Sequence, residues 1–199
     1  MAQLTLTGDQ DAFVAILTSD GDVLWAKNLS DGAAGIEEGS SIATNGSGES
    51  DMTGFYQGTM AVAGVPQLTS CVNGRSAFLL KLDSAGNAIW NLGPAYPSDA
   101  AFGTSTGDRV DVDQQGNVYL AARFRGATCN FGDSVFVNHS TGTQDMLWAK
   151  FAANGTLQWV RSFGGNADDM ITAIDTDVKG TSTWPCTAGT MIWCFLNSR

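Results

Sequence analysis

One strand–turn–strand segment occurs three times in this sequence, and each copy ends in tryptophan. The copies span residues 11–25, 76–90 and 145–159, so the closing tryptophans lie 65 residues (90 − 25) and 69 residues (159 − 90) apart. In every copy an apolar stretch, a turn glycine and the tryptophan keep the same mutual spacing. A repeat of this period restricts the chain to a tandem array of similar structural units.

Each copy predicts a β-hairpin. Asp-Gly, Ala-Gly and Asn-Gly pairs place glycine where a tight reversal needs positive φ, at Gly21, Gly86 and Gly155. The strand before each turn is almost continuously apolar, as expected for a strand that is covered on both faces. The tryptophan after the turn supplies a large surface for burial.

A second hairpin is predicted between the copies, because residues 107–124 form two strand-like stretches around Gly116. A shift of 68 residues matches Gly39, Ile42, Asn45, Gly48, Tyr56 and Gly58 with Gly107, Val110, Asp113, Gly116, Phe124 and Gly126. The unit therefore contains two hairpins, or four strands, in roughly 65–70 residues. We expect an all-β fold, a β-propeller made of four-stranded antiparallel blades.

Several motifs recur in the order that is typical of one repeat family. They are Asp-Gln-Gln-Gly-Asn-Val-Tyr at residues 113–119, Asn-Phe-Gly at 130–132, Asp-Ala-Phe-Val-Ala at 11–15 and Trp-Val-Arg-Ser-Phe-Gly-Gly at 159–165. With these motifs most of residues 8–180 resembles the seven-bladed β-propeller (SBBP) repeat family, although residues 60–73 form a longer, less regular connection. The resemblance implies a propeller fold and an extracellular or cell-surface setting, and it implies no single activity.

The repeat stops near the C-terminus. Residues 174–180 match residues 110–116, but the chain then continues Thr-Ser-Thr-Trp-Pro where the repeat predicts Asn-Val-Tyr-Leu-Ala. The codons AAC-GTC-TAC-GTG-GCC encode Asn-Val-Tyr-Val-Ala, and without the first base they become ACG-TCT-ACG-TGG-CC, which encodes Thr-Ser-Thr-Trp-Pro. We therefore assign residues 1–180 to propeller blades and predict a divergent, out-of-frame tail at 181–199, with a natural divergent end as the alternative.

The number of blades is small for a closed propeller. Known propellers close with about four to eight blades, and this chain supplies about three. We expect an incomplete arc, which is either a piece of a longer protein or a chain that assembles in several copies. An open arc exposes strand edges and an apolar blade face, so self-association through these edges is expected.

Composition and charge exclude some functions. The formal net charge is −10 and the sequence pI is about 4.2, so nucleic-acid binding, which needs a clustered basic face, is not expected. The acidity is explained by solubility, with cation binding as the alternative. No stretch resembles a membrane span or a secretory signal. Localisation is therefore left open, and it would be extracellular or cell-surface if a longer protein carries a signal.

Candidate catalytic and metal-binding residues are few. His139 is the single histidine and is expected in a polar surface loop. The G-x-S-x-G pattern at residues 103–107 has a loop before it and a strand after it, unlike a nucleophile elbow. The alternating aspartates could face Ca²⁺, but structural roles in turns are favoured for them: Asp111, Asp113, Asp175 and Asp177. We predict no catalytic, cofactor-binding or metal-binding residue.

The cysteines and glycosylation motifs also carry weak signals. No C-x-x-C pair occurs, so a zinc ribbon is unsupported, although Cys71 and Cys129 could pair in an oxidising compartment. Four Asn-x-Ser/Thr motifs occur, at Asn28, Asn45, Asn138 and Asn154, as expected by chance in a chain rich in serine, threonine and glycine.

The sequence favours a non-catalytic binding or scaffold module of a surface or secreted protein, with a glycan or another protein as ligand. Any site would be built from inter-strand loops such as residues 47–51 and 114–117. The alternative is a fragment of a carbohydrate-active propeller enzyme, a hydrolase or lyase, but no spacing of carboxylates singles out an acid–base pair.

Resequencing the DNA at codon 181 tests the predicted frameshift. We expect a single-base insertion there to restore a strand of the repeat and further blades downstream. If no single-base change restores the repeat, the tail is a natural divergent end.

Overall fold

The computed structural model describes residues 4, 10–29, 35–71, 74–94, 103–131, 134–140, 142–177, 182–183 and 186–187. The chain is all-β, and in this described part no helix is long and apolar enough to cross a membrane. The strands are β1 (Phe13–Leu17), β2 (Val23–Asn28), β3 (Ile36–Thr44), β4 (Ser50–Gln57), β5 (Thr59–Met60), β6 (Leu68–Thr69), β7 (Arg75–Leu82), β8 (Ala88–Leu92), β9 (Thr104–Val112), β10 (Val118–Arg125), β11 (Thr128–Phe131), β12 (Ser134–Val137), β13 (Gln144–Phe151), β14 (Leu157–Phe163), β15 (Met170–Ile171), β16 (Asp175–Thr176), β17 (Ser182–Thr183) and β18 (Cys186–Thr187).

Within the described residues the strands form two four-stranded antiparallel sheets. The first sheet has the order β3-β4-β7-β8 and the second has the order β9-β10-β13-β14, so each is a meander. A short hairpin, β5–β6 in the first unit and β11–β12 in the second, is inserted between the second and third strands of each sheet. The predicted four-stranded repeat unit is therefore present twice.

A two-stranded hairpin lies at each end of this array. The N-terminal hairpin, β1–β2, matches β7–β8 and β13–β14, because all three carry the tryptophan-ended segment. In the C-terminal hairpin β15 and β16 pair with β18 and β17. The pairing of Thr176 with Ser182 repeats that of Val112 with Val118, so this hairpin has the register of β9–β10. Apart from β17 and β18, the predicted tail at residues 181–199 lies outside the described residues.

The third strand of each sheet is buried on both faces, as its apolar sequence predicts. Leu79, Leu80 and Leu82 of β7 are almost fully buried, and so are most residues of β13. Burial of one such leucine contributes about 1.5–3 kcal/mol relative to its exposure. In β1, by contrast, Phe13 and Leu17 are exposed, because no sheet of the described part covers their face.

Five hairpin turns in the described part share one geometry. In each, the glycine N–H donates to the carbonyl of the first turn residue, and that residue's own N–H donates to the carbonyl four residues later. The glycines have φ between 75° and 87°, which only glycine adopts readily. They are Gly21, Gly48, Gly86, Gly116 and Gly155. The repeated glycine is therefore required by backbone geometry.

The two sheets pack face to face through β9, which lies against β3, β4 and β7. Leu79 of the first sheet belongs to the same apolar cluster as Val110 and Val118 of the second. A Cβ atom at Gly107 would overlap the Thr53 hydroxyl, so glycine is needed where the backbones approach. The Ala77 N–H also donates to Ser105 Oγ across this interface, at 2.8 Å.

Two tryptophans join successive units. Trp25 Nε1 donates to the Ser84 carbonyl at 3.1 Å, and its ring lies against the next unit's turn glycine, Gly86. Trp90 Nε1 donates to the Ala153 carbonyl at 3.0 Å, and its ring lies in the same way against Gly155. The tryptophans are therefore half-buried contacts between units, whereas the sequence predicted only a buried surface.

Replacement of Trp90 should measure the strength of this contact. We expect Trp90→Ala to lower the free energy of unfolding by about 3 kcal/mol, since a large packed ring is lost. Trp90→Phe should lower it by about 1 kcal/mol, because one hydrogen bond disappears. Urea denaturation measures both. The neighbouring exposed side chain provides the control, since Ile89→Ala should change stability by less than about 0.5 kcal/mol. If Trp90→Ala lowered the free energy of unfolding as little as Ile89→Ala, the tryptophan contact would contribute nothing to stability.

Candidate functional site

The five glycine turns lie together at one end of the sheets, which we call the turn end. Trp25 and Trp90 connect the turns of neighbouring outer hairpins. A Cβ on Gly48 would lie 3.3 Å from Ser84 Cβ, and one on Gly116 would lie 3.3 Å from Ala153 Cβ. The short hairpins β5–β6 and β11–β12 occupy the opposite end, because they connect the other ends of the same strands.

Both loops that the sequence proposed as binding loops lie at the turn end. Ser47, Gln114 and Gln115 are exposed there, whereas Ser50 and Asp51 are buried in β4. The predicted loops therefore divide into an accessible tip and an inaccessible base. Their tips provide hydroxyl and amide groups.

Side chains within the turns hold their backbone. Asn45 Oδ1 accepts hydrogen bonds from the Ser47 and Glu49 N–H groups, each at 3.0 Å. Asp113 Oδ1 accepts from the N–H groups of Gln115 at 3.0 Å and Asn117 at 2.8 Å. This is the turn role that the sequence predicts for Asp113. The exposed tips are consequently carried on turns that are already ordered.

A charged cluster is buried beneath the first of these turns. Lys81 Nζ lies 2.9 Å from Asp51 Oδ2 and 3.4 Å from Glu49 Oε2, and the Lys81 and Asp51 side chains are 2% and 0% exposed. Burial raises the pKa of Asp51 to about 6, the attraction of Lys81 lowers it, and Glu49 raises it. This cluster was not predicted from the sequence. A lysine in an otherwise apolar strand, at both Lys81 and Lys150, was the available signal.

The second unit satisfies its lysine differently. Lys150 Nζ lies 3.9 Å from Asp113 Oδ2 and 4.9 Å from the centroid of the Tyr119 ring. The Tyr119 hydroxyl donates to Asp113 Oδ2 at 3.2 Å. Burial and the nearby Asp113 carboxylate raise the pKa of Tyr119 above its ordinary range. Lys81 and Lys150 thus occupy the same position of the repeat, but their acidic partners, Asp51 and Asp113, occupy different positions. This difference favours a structural role for these charges.

A second polar cluster lies on the edge strand β9. The register of β9 against β10 shifts beside Asp108, and this bulge directs its side chain toward Arg123. Asp108 Oδ1 lies 3.2 Å from Arg123 Nε. Burial raises the pKa of Asp108 to about 6, while the charges of Arg123 and Arg109 lower it.

The same face of the second sheet carries further polar contacts. Arg123 NH1 donates to Gln144 Oε1 at 3.3 Å, and Arg125 NH2 lies 3.3 Å from Asp168 Oδ1. The Asp168 oxygen also accepts the Gln144 N–H at 2.9 Å. These contacts fasten the chain after β14 to the face of the sheet.

Other candidate residues have structural positions. His139 is 61% exposed, and its Nδ1 lies 3.0 Å from Oδ2 of the buried Asp145. Ser105 lies within β9 and is buried, unlike the serine of a nucleophile elbow. Asp111 accepts hydrogen bonds from the N–H and hydroxyl of Thr176, both at 2.7 Å. Its turn role was therefore predicted wrongly, because its partner lies on the next edge strand.

Cysteines and metal ligands form no site in the described part of the chain. Cys71 and Cys129 are not joined by a disulfide. No group of three or more histidine, cysteine, aspartate or glutamate side chains among the described residues could hold a metal ion. Asn138, one of the four glycosylation motifs, is 5% exposed and donates its amide to the Thr143 carbonyl at 2.9 Å.

No protein-family model matches the chain, and no curated protein matches it. The SBBP resemblance therefore stays a prediction from the motifs.

The buried carboxylates predict the pH dependence of stability. The pKa of Asp51 is about 6 in the fold and 3.8 as its ordinary value, so the folded state binds a proton more tightly than the unfolded state. The contribution of Asp51 to stability is therefore largest below pH 3.8 and is lost as the pH rises through 6, by an amount on the order of 3 kcal/mol. Asp108 acts in the same direction.

Urea titrations at several pH values measure this effect. We expect Asp51→Asn to lose its share of the fall in stability between about pH 4 and 6, because the asparagine amide does not titrate in this range. Asp168→Asn is the control, since it retains Asp51 and Asp108 and should keep their pH dependence. An identical pH slope in wild type and Asp51→Asn would contradict the assignment.

Proposed function

We propose that this chain is an arc of an SBBP-type β-propeller that serves as a non-catalytic binding or scaffold module of a surface or secreted protein. Two successive four-stranded meanders that pack face to face support the propeller arrangement. The edge strands also follow one another, because β9 packs on β3 and Thr176 of β16 bonds to Asp111 of β9. The tryptophan contacts of Trp25 and Trp90 also recur in the same form between neighbouring outer hairpins, as expected for successive blades.

The turn end is the proposed binding surface, and its ligand is a glycan or a protein. Its exposed tips offer a hydroxyl and two amides, which are suited to hydrogen bonding with sugar hydroxyls or with a peptide backbone. Their turns are held by internal hydrogen bonds, so little conformational entropy is lost when a ligand binds. This preordered polar surface is the observation on which the proposal rests.

The buried carboxylates favour a structural role over acid–base catalysis. Asp51 is fully buried against Lys81, and Asp108 is buried against Arg123. A glycosidase needs two carboxylates that face one substrate site. Each of these carboxylates instead contacts a cation of its own sheet.

One observation keeps the enzyme as the second candidate. Asp108 has a pKa of about 6, as a general acid requires, and its Oδ2 makes no hydrogen bond within the described part of the chain. A propeller hydrolase or lyase built on this chain would therefore depend on Asp108.

A glycan array probed with the purified chain tests the binding proposal. We expect a selective glycan, and the double substitution Gln114→Ala and Gln115→Ala should weaken its binding about tenfold, since each lost hydrogen bond contributes about 1 kcal/mol or less. Gln67→Ala, at the opposite end of the first unit, is the matched control and should bind normally. Equal binding by all variants would reject the turn end as the site.

Incubation with the array-selected glycan or with polysaccharides tests the alternative. Release of shorter saccharides by the wild type would favour the enzyme over the binding module, provided that Asp108→Asn abolishes this release. The variant must keep the thermal unfolding temperature of the wild type.

A further inference from the structure

The exposed residues at the turn end of the two four-stranded sheets are all neutral. The four turns of these sheets comprise residues 45–49, 83–87, 113–117 and 152–156, and the structure describes every residue in them. Exposed positions are the usual place for charged residues. In these turns, however, each exposed residue has a hydroxyl group, an amide or no polar side-chain group. They are Gly46, Ser47, Ser84, Ala85, Asn87, Gln114, Gln115, Ala153, Asn154 and Thr156.

The four turns form one continuous surface. Within the first sheet the inner and outer turns approach each other closely, since a Cβ on Gly48 would lie 3.3 Å from Ser84 Cβ. Gly116 and Ala153 make the same approach in the second sheet. Trp90 connects the two outer turns, because its indole N–H donates to the Ala153 carbonyl and its ring lies against the following glycine turn. A single ligand can therefore contact several turns.

The carboxylates of these turns are engaged within the fold. Glu49 Oε2 accepts a hydrogen bond from Asn45 Nδ2 at 2.8 Å and lies 3.4 Å from Lys81 Nζ. Asp83 Oδ1 accepts the Asn87 N–H at 2.8 Å, and Asp83 Oδ2 accepts the Asn87 side-chain amide at 3.0 Å. These carboxylates hold their own turns, so the turn end does not favour a cationic ligand.

The turn end is equally poor in cations. None of the four turns contains lysine or arginine. Three lysines reach the turn end from strands, and each has a partner in the fold. The Lys81 side chain is 2% exposed, and Lys150 Nζ lies 3.9 Å from Asp113 Oδ2. Lys27 donates to Asn87 Oδ1 at 3.0 Å. An anionic ligand would find each of these lysines already engaged.

The exposed side chains match a glycan better than a protein. Tryptophan, tyrosine and arginine supply much of the binding energy of protein interfaces, and none of the exposed residues of the four turns is aromatic or arginine. Hydroxyl and amide groups both donate and accept hydrogen bonds, as sugar hydroxyls require.

We propose that the turn end selects neutral glycans and discriminates against glycans that carry sialic acid, uronic acid or sulfate. This inference rests on the proposed binding function and names its ligand class. A neutral glycan replaces its hydrogen bonds with water by bonds with the turns, whereas an acidic glycan loses hydration of its charge and gains no cation. The net charge of −10 adds a long-range repulsion of anions.

An array of neutral hexose and N-acetylhexosamine oligosaccharides, together with their sialylated, uronic-acid-containing and sulfated derivatives, tests the selection. We expect the wild type to bind a neutral oligosaccharide and to bind its acidic derivative at least about tenfold more weakly. Binding of the neutral oligosaccharide should change by less than about twofold between roughly 50 and 500 mM NaCl, because salt screens interactions between charges.

A charged variant tests whether the turns carry this selection. Gln115→Lys places a cation on an exposed tip of the second sheet and should strengthen binding of the sialylated derivative about tenfold at low salt. Gln67→Lys is the matched control, because it makes the same change at an exposed position at the opposite end of the first unit. This variant should keep the preference of the wild type. Circular dichroism verifies that both variants are folded.

Three results would overturn the inference. If the wild type prefers acidic glycans, or if Gln115→Lys keeps the wild-type preference, the selection is wrong and the proposed binding function stands. Peptides printed on the same array test the other ligand class, and binding of peptides without any neutral glycan would also leave the binding function standing. Binding of neither glycans nor peptides would reject the proposed function together with this inference.

Discussion

The contact between a tryptophan and the turn glycine of the next unit is the interaction on which the arrangement of this protein depends. A hairpin or a single sheet buries one face poorly, so each unit needs a neighbour. Trp25 and Trp90 fix where that neighbour sits, since the ring needs a glycine surface and the indole N–H needs a carbonyl. The outer hairpins of successive units are therefore arranged in the same way relative to one another. The positive-φ glycine serves both the turn and this docking.

Each four-stranded sheet also holds a lysine of its third strand beside acidic or aromatic partners, with a side chain that is 2% exposed for Lys81 and 19% exposed for Lys150. Lys81 is held by Asp51 and Glu49, whereas Lys150 is held by Asp113 and the Tyr119 ring. A buried cation must have a partner, but the partner can come from different positions as long as it lies within reach. The raised pKa of Asp51 reflects the cost of burying such a pair. The partners of the repeated lysine therefore differ between the two sheets, whereas the backbone geometry of the turns is the same in both.

Some features could be predicted from the sequence because they depend on local geometry. The hairpins around Gly21, Gly86 and Gly155 were predicted from turn chemistry and apolar runs, and all three are present. The hairpin β5–β6 was missed because each of its strands has only two residues, too few for a strand pattern, although its counterpart β11–β12 occupies the same place in the second unit. The role of Asp111 was also missed, since its partner Thr176 lies 65 residues away.

The sequence by itself determined the repeat, the four-stranded unit and the turns, because spacing, turn glycines and apolar runs act within a few residues. The tertiary structure decided which charges are buried, which loop residues remain accessible, and what the tryptophans contact. Those outcomes depend on atoms from different units, and no local pattern encodes their distances. The three tryptophans were visible as a period in the chain, and only the packing of the sheets revealed that Trp25 and Trp90 are contacts between neighbouring units.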